Sequence, residues 1–284
     1  MQTLQWLGVA LILLISTGSA LHALLHKREP AAAFAWIAFC LLFPLVGPVF
    51  YYLFGINRVR MRAVQLRGEL PGGDPDPEHA LPGRIPPAFR TQAQISSAVA
   101  GLPVTHGNAI VSLHGGEAAY PPMLDAIAAA RDRVFLSTYI FESNDTGQRF
   151  VEALAAAQQR GVDVRVLLDG AGEWYSWPRI RHALKRNGIP TARFLPPRLV
   201  PPSPLINMRN HRKLLIVDGQ TAFTGGMNIG DRHLLKRPGG RPGVRDLHFR
   251  LTGPLAGQLE AVFLDDWEFV TGARDAPPPP TGQQ

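Results

Sequence analysis

The chain has 284 residues, 46% of them hydrophobic, which is ample for one large domain or two modest ones. Its net charge of +7 divides as +3 over residues 1–60 and +4 over the rest, too dilute to name nucleic acid as a partner but suited to a domain lying beside anionic headgroups. The single cysteine, Cys40, excludes a disulfide framework or a cysteine-based metal site within one chain.

The apolar residues are concentrated at the N-terminus. Leu4 to Leu25 and Ala31 to Gly55 carry no formal charge, and only His26-Lys27-Arg28-Glu29-Pro30 separates them. At about 1.5 Å per residue each stretch is long enough for a hydrocarbon layer of about 30 Å. Pro44, Gly47 and Pro48 predict a kink in the second span, tolerable where neighbouring groups take up the freed backbone polar atoms. The expectation is a transmembrane hairpin over residues 1–60. Arg58, Arg60, Arg62 and Arg67 outnumber Lys27 and Arg28, which places the following domain on the cytoplasmic side of a plasma (inner) membrane, with the protein multi-pass.

Residues 61–104 read as a Pro/Gly-rich linker or arm, with "GELPGGDPDPEHALPGRIPP" at 68–87 too rich in breakers for a helix or central strand. Residues 273–284, with Pro277 to Pro280 in a row, read as a disordered tail. Between them, residues 105–272 alternate strand and helix signals, the pattern of a layered α/β domain without internal repeats. Val134 to Phe141 reads as a strand, Phe150, Val151, Leu154, Ala155 and Ala157 as the apolar face of a helix, and Val164 to Leu168 as a second, parallel strand. Asp145, with Gln148 three residues on, is the expected cap of that helix, and Gly161 its stop. A helix near Pro178–Asn187, a strand near Thr191–Leu195 and a last helix near Leu255–Phe269 follow.

The chemistry concentrates in "NHRKLLIVDGQTAFTGGMN", residues 210–228. Leu214 to Val217 has the character of a buried strand, and positions two apart on a strand share a face, so His211 and Lys213 project together if the extended backbone begins early enough. Gly219, Gly225 and Gly226 permit turns and close backbone approach. An imidazole that is mostly neutral at pH 7, a fixed cation and an amide donor at Asn228 make a phosphate site in which the imidazole is a nucleophile. Only four of the 29 basic residues are lysine, so a Lys rather than an Arg at 213 stands out.

His211-x-Lys213-x4-Asp218 followed by Gly225-Gly226-x-Asn228 resembles the HKD motif of the phospholipase D superfamily. The stretches "PAAAFAWIAFCLLFPLVGPVFYYLFG", "YIFESNDTGQRFVEALAAAQQRGVDVRVLLDG", "RNHRKLLIVDG" and "RDLHFRLTGPLAGQLEAVFLDDW" are similar to bacterial cardiolipin synthases, a likeness running from residue 4 to Trp267. The resemblance implies one phospholipase D-like α/β/α half-domain with a mixed, mainly parallel sheet. It implies that His211 attacks the phosphorus of phosphatidylglycerol to give a phosphohistidine and glycerol, and that a second phosphatidylglycerol then accepts the phosphatidyl group. Lys213 and Asn228 would contact phosphate, and Asp218 would complete the catalytic motif by supporting its geometry. Asp246 and His248 in "RDLHFR" would stand behind those residues, or be partners buried along a strand. Neither a metal nor another cofactor is implied, and the expected partners are anionic phospholipid and membrane, nucleic acid being disfavoured.

Synthases of this family carry two HKD motifs around one active site, the second histidine serving as general acid and then base. This sequence has one: no other histidine is followed by Lys two positions on. A homodimer, a partner chain with a second motif, or an inactive or truncated half-synthase or accessory subunit are the alternatives, alongside a single-motif phosphodiesterase or nuclease acting as a dimer.

Overall fold

A computed structural model of the chain describes residues 2–27, 29–56, 85–197, 209–237, 240 and 242–273. Most of the predicted linker and nearly all of the predicted tail lie outside the described residues. The chain divides into two compact units, residues 1–70 with 197–208, and residues 71–196 with 209–284.

In the first unit, helix α1 (Gln2–His26) is long and apolar enough to cross a membrane, and most of its side chains are exposed. The second predicted span is a broken helix: α2 (Pro30–Leu42) ends ahead of Pro44, α3 (Val46–Phe50) resumes after it, and a π-turn covers Tyr51–Gly55. Neither piece alone has the length of a span. Pro44, which has no amide hydrogen, accounts for the break, and glycine permits the close packing after it. A Cβ on Gly47 would fall 2.5 Å from the Phe39 carbonyl, so the backbones approach where only glycine fits. The pieces fold back on α1, where Ser16 hydrogen-bonds the Cys40 carbonyl and His22 Nδ1 lies 2.8 Å from the Tyr51 hydroxyl.

The second unit is a seven-stranded sheet with helices on both faces. Its strands are β1 (Ala109–His114), β2 (Arg133–Thr138), β3 (Asp163–Asp169), β4 (Thr191–Phe194), β5 (Leu214–Val217), β6 (Thr221–Gly225) and β7 (Leu247–Thr252), in the order β1-β7-β6-β5-β2-β3-β4. Alternation along the strands sorts side chains into two cores. Val134 and Leu136 of β2 and Leu215 and Val217 of β5 face α5 (Gly115–Ala129), α6 (Asp145–Gln159) and α7 (Arg181–Arg186). Phe135, Leu214 and Ile216 face α8 (Pro254–Thr271), with Phe135 stacked on Phe263 at 4.9 Å.

Three expectations are corrected. The sheet is mixed but mainly antiparallel: β2-β3 and β3-β4 are parallel, while β1-β7, β7-β6, β6-β5 and β5-β2 are antiparallel. For β5 and β6 the cause is local, since they are joined by a tight turn whose central residues, Asp218 (φ 53°) and Gly219 (φ 65°), are both left-handed, the geometry that favours a hairpin. The cap of α6 is Asn144, whose side chain accepts from the Gly147 amide, one residue ahead of Asp145. Within the predicted linker, Pro87–Ala100 is helical (α4), with proline in its first turn and Gly101 at φ 63° closing it.

Candidate active site

The carboxyl ends of β2, β3 and β6 and the amino ends of β5 and β7 meet at one edge of the sheet, the usual place for a site on parallel strands. There the segment before β5 is held in place by carboxylates. The amides of Asn210, Ala171 and Gly172 donate to the buried Asp169 at 2.9, 2.8 and 3.2 Å. The Asn210 side chain donates to Asp266 at 3.0 Å and accepts from the Arg212 amide. The extended strand begins only at Leu214, so His211 and Lys213 do not share a strand face as expected: Asn210 and Lys213 are buried and His211 is exposed. The two still touch: Lys213 Nζ donates to the His211 carbonyl at 2.8 Å and lies 3.1 Å from His211 Nδ1. Tyr139, just past β2, completes the floor, its ring 4.9 Å from the His211 ring and 5.6 Å from the Lys213 ammonium.

Gly225 and Gly226 exist to let β7 come close. A Cβ on Gly225 would lie 2.4 Å from the Leu247 carbonyl, and one on Gly226 would lie 2.1 Å from Asp246 Oδ1. Asp246 and His248 therefore sit directly behind Lys213. His248 is buried, with Nδ1 bonded to nothing among the described residues. A second buried imidazole, His233, accepts from the Asn228 amide at 3.2 Å through Nε2 and has Nδ1 3.9 Å from Asp246 Oδ2. The Asn228 side-chain oxygen takes the Ile140 amide at 3.0 Å, which fixes the amide plane and leaves its NH2 as donor. Tyr120 braces this loop from α5, its hydroxyl donating to the carbonyls of Asn228 and Gly230.

Burial governs the protonation states. Desolvation first, and the Lys213 cation second, lower the His211 pKa, with Asp169 opposing, so the imidazole is neutral at pH 7. Burial brings Lys213 down to about 8 against the pull of Asp246 and Asp169. His248 is lowered to about 4, chiefly by burial, and His233 is lowered for the same first reason.

The structure thus brings together His211, Lys213, Asn228, Asp246 and His248. It does not bring Asp218. That residue is at the other end of β5, five residues from Lys213 or ~16 Å along an extended strand. Its carboxylate accepts the amides of Arg131, Asp132 and Arg133 at 3.0, 2.9 and 2.9 Å, fastening the start of β2 to the β5-β6 turn. Sequence reasoning missed Tyr139, Asp169 and His233. Tyr139 lies inside the strand read over Val134–Phe141 and Asp169 directly follows the one read over Val164–Leu168, whereas no spacing marks His233. Among the described residues no group of three or more His, Cys, Asp or Glu could hold a metal ion.

Residues 123–239 match the family described as "Cardiolipin synthase, PLD-like domain", and residues 6–55 match "Phospholipase D-nuclease N-terminal". The chain belongs to the phospholipase D superfamily. It is 32% identical over 257 residues to a cardiolipin synthase of Geobacillus thermodenitrificans, a match covering 88% of this chain and 51% of that protein. A cardiolipin synthase of Geobacillus kaustophilus is also 32% identical, covering 90% of this chain and 52% of that protein. The chain therefore spans about half the length of these curated relatives. Among solved structures, a phospholipase D family member, Nuc from Salmonella typhimurium, is 22% identical, covering 59% of this chain and 99% of that one at a TM-score of 0.44.

Proposed function

We propose that the chain is a phosphatidyltransferase of the cardiolipin synthase type that joins two phosphatidylglycerol molecules through a phosphohistidine on His211. The observation that carries this reading is the pairing of an exposed, neutral His211 with a buried Lys213 that touches it. Nucleophile and phosphate cation are thus held two residues apart at one mouth. While the ammonium donates to Nδ1, the ring proton belongs on Nε2; an incoming phosphate that draws Lys213 away frees Nδ1 to carry the proton and Nε2 to attack. Lys213 and the Asn228 NH2 then stabilise charge on the phosphoryl oxygens.

Attack forms the N–P bond and breaks the bond to the glycerol oxygen, which must leave with a proton. The second phosphatidylglycerol hydroxyl later gives up a proton as it forms the new P–O bond and releases His211. One imidazole cannot attack phosphorus and supply that proton at once. His248 is a poor substitute, since it is buried and its pKa of about 4 keeps it unprotonated at pH 7. The reading therefore has a second HKD motif facing the first, from a dimer mate or a partner chain. The first unit is read as a membrane hairpin with the second unit on the cytoplasmic side, next to the lipid substrate.

Mixing wild-type chains with an excess of His211→Ala chains tests the shared site. In a homodimer, activity falls in proportion to heterodimer formation. Activity that tracks only the amount of wild-type chain excludes a site shared between copies.

A further inference from the structure

The loop after β3 exposes aromatic side chains that the reaction does not use. In "GEWYSWPR", residues 172–179, Trp174, Tyr175 and Trp177 are 62%, 58% and 87% exposed. The loop is nonetheless firmly held. Asp169 accepts its first amides, Ser176 Oγ accepts the Ser143 amide at 2.8 Å, and Ser143 Oγ donates to the Pro178 carbonyl. The buried Glu173 anchors it from below through Arg193 at 2.7 Å. A ring contact leads from this loop to the nucleophile: Tyr175 lies 6.0 Å from Tyr139, which lies 4.9 Å from His211.

The chain running on from the loop is rich in cations, although Arg181 and Arg193 pair with Glu173, Arg209 with Asp169 and Arg212 with Asp266. From Trp174 to Val217 there are 44 residues with nine Lys or Arg and no Asp or Glu. Arg179 stacks over Trp174 at 4.7 Å, and Lys185 and Arg186 are exposed on α7. Rings with an apolar body and a polar edge, set among cations on a rigid turn, match the boundary between acyl chains and anionic headgroups. A protein partner of the obligate kind would meet a larger aliphatic face. The chain also carries α1, long and apolar enough to cross the same membrane.

We propose that the Gly172–Arg179 loop is an interfacial rim that dips Trp174, Tyr175 and Trp177 into an anionic lipid surface and so sets the His211 mouth at headgroup depth. This deepens the proposed function and rests on its membrane location.

The test uses the full chain in phosphatidylglycerol-containing vesicles, with Cys40→Ala and a polarity-sensitive fluorophore on a single introduced cysteine. Trp177→Cys reports the rim. Gln159→Cys, at the far end of α6 and so at the opposite edge of the sheet, is the control. The expected result is blue-shifted emission at 177, quenched by spin-labelled phospholipid, with neither change at 159. A water-like spectrum at 177 overturns the proposal. So does shielding that follows protein concentration without lipid quenching, which assigns the surface to a second copy, or shielding by a single-stranded oligonucleotide in place of lipid. This readout needs no turnover, so it stands apart from the phosphatidyl-transfer reading. In a second arm, Trp174→Ala with Trp177→Ala should lower turnover several-fold on vesicles and leave it unchanged on detergent-dispersed lipid, with the urea midpoint unchanged. Equal loss on both overturns the docking role.

Discussion

Asp218 separates a structural reading of the motif from a chemical one. Its carboxylate holds three backbone amides at 2.9–3.0 Å and its backbone is left-handed at φ 53°. A hydrogen bond to a charged group contributes about 1.5–3 kcal/mol when sheltered, and two of these three are exposed, so the set is worth about 2–4 kcal/mol. Alanine also meets a cost of about 1–2 kcal/mol at left-handed φ. Asp218→Ala should therefore lose about 3–6 kcal/mol, a large part of a typical domain's stability. Asp218→Gly escapes the backbone cost and should lose less. Asp218→Asn tolerates the conformation and keeps one acceptor oxygen, so it should lose only about 1–2 kcal/mol. Urea unfolding gives the ranking wild type, Asn, Gly, Ala, and amide exchange at residues 131–133 should rise in the same order. In the Asn variant, below its unfolding transition, formation of the covalent intermediate should stay within a few-fold of wild type. Unchanged stability in Asp218→Ala, or full stability with no reaction in Asp218→Asn, refutes the assignment.

The pH profile of kcat/KM should be a bell: His211 is lost as nucleophile where it protonates, below pH 6.5, and the Lys213 ammonium is lost as pH rises through about 8. A profile flat from pH 7 to 10 contradicts the depressed Lys213. Gly225→Ala should destabilise more than Gly226→Ala, because its Cβ meets the Leu247 carbonyl whereas the other meets a movable Asp246 side chain. Thermal melts check the order, and the reverse order would mean β6 and β7 do not pair this way. If residues 1–60 form the hairpin, single cysteines at positions 27 and 67 label from opposite sides of the membrane; labelling from one side removes it.

How far the sequence could be read depended on whether a signal was local. His211, Lys213 and Asn228 are marked by spacing along one short segment, and Leu214–Val217 is a strand with the bounds its apolar run suggests. The β2-α6-β3 unit was legible for the same reason, but extending its parallel order across the sheet ignored the Asp218-Gly219 pair between apolar runs, itself a hairpin signal. Asp218 looked catalytic through its place in the motif, although the strand read between it and Lys213 already puts it at the other end of β5, where it accepts the Arg133 amide. His233 joins Asn228 through a fold contact and leaves no spacing to find. The Pro87–Ala100 helix was hidden by prolines counted as breakers, although proline in a first turn is compatible with a helix start.

The central claim is that His211 carries the phosphatidyl group. Quenching the chain, with whatever partner activates it, in denaturant at mildly alkaline pH during turnover of phosphatidylglycerol labelled in the phosphatidyl group, followed by mapping of the modified peptide under the same conditions, addresses it directly. The predicted result is an acid-labile phosphatidyl adduct on the peptide bearing His211. It should be absent in His211→Ala and formed about 10²–10³ times more slowly in Lys213→Ala, the usual loss for one oriented charge contact. An adduct that persists in His211→Ala, or one that maps to another residue of the wild-type chain, contradicts the account.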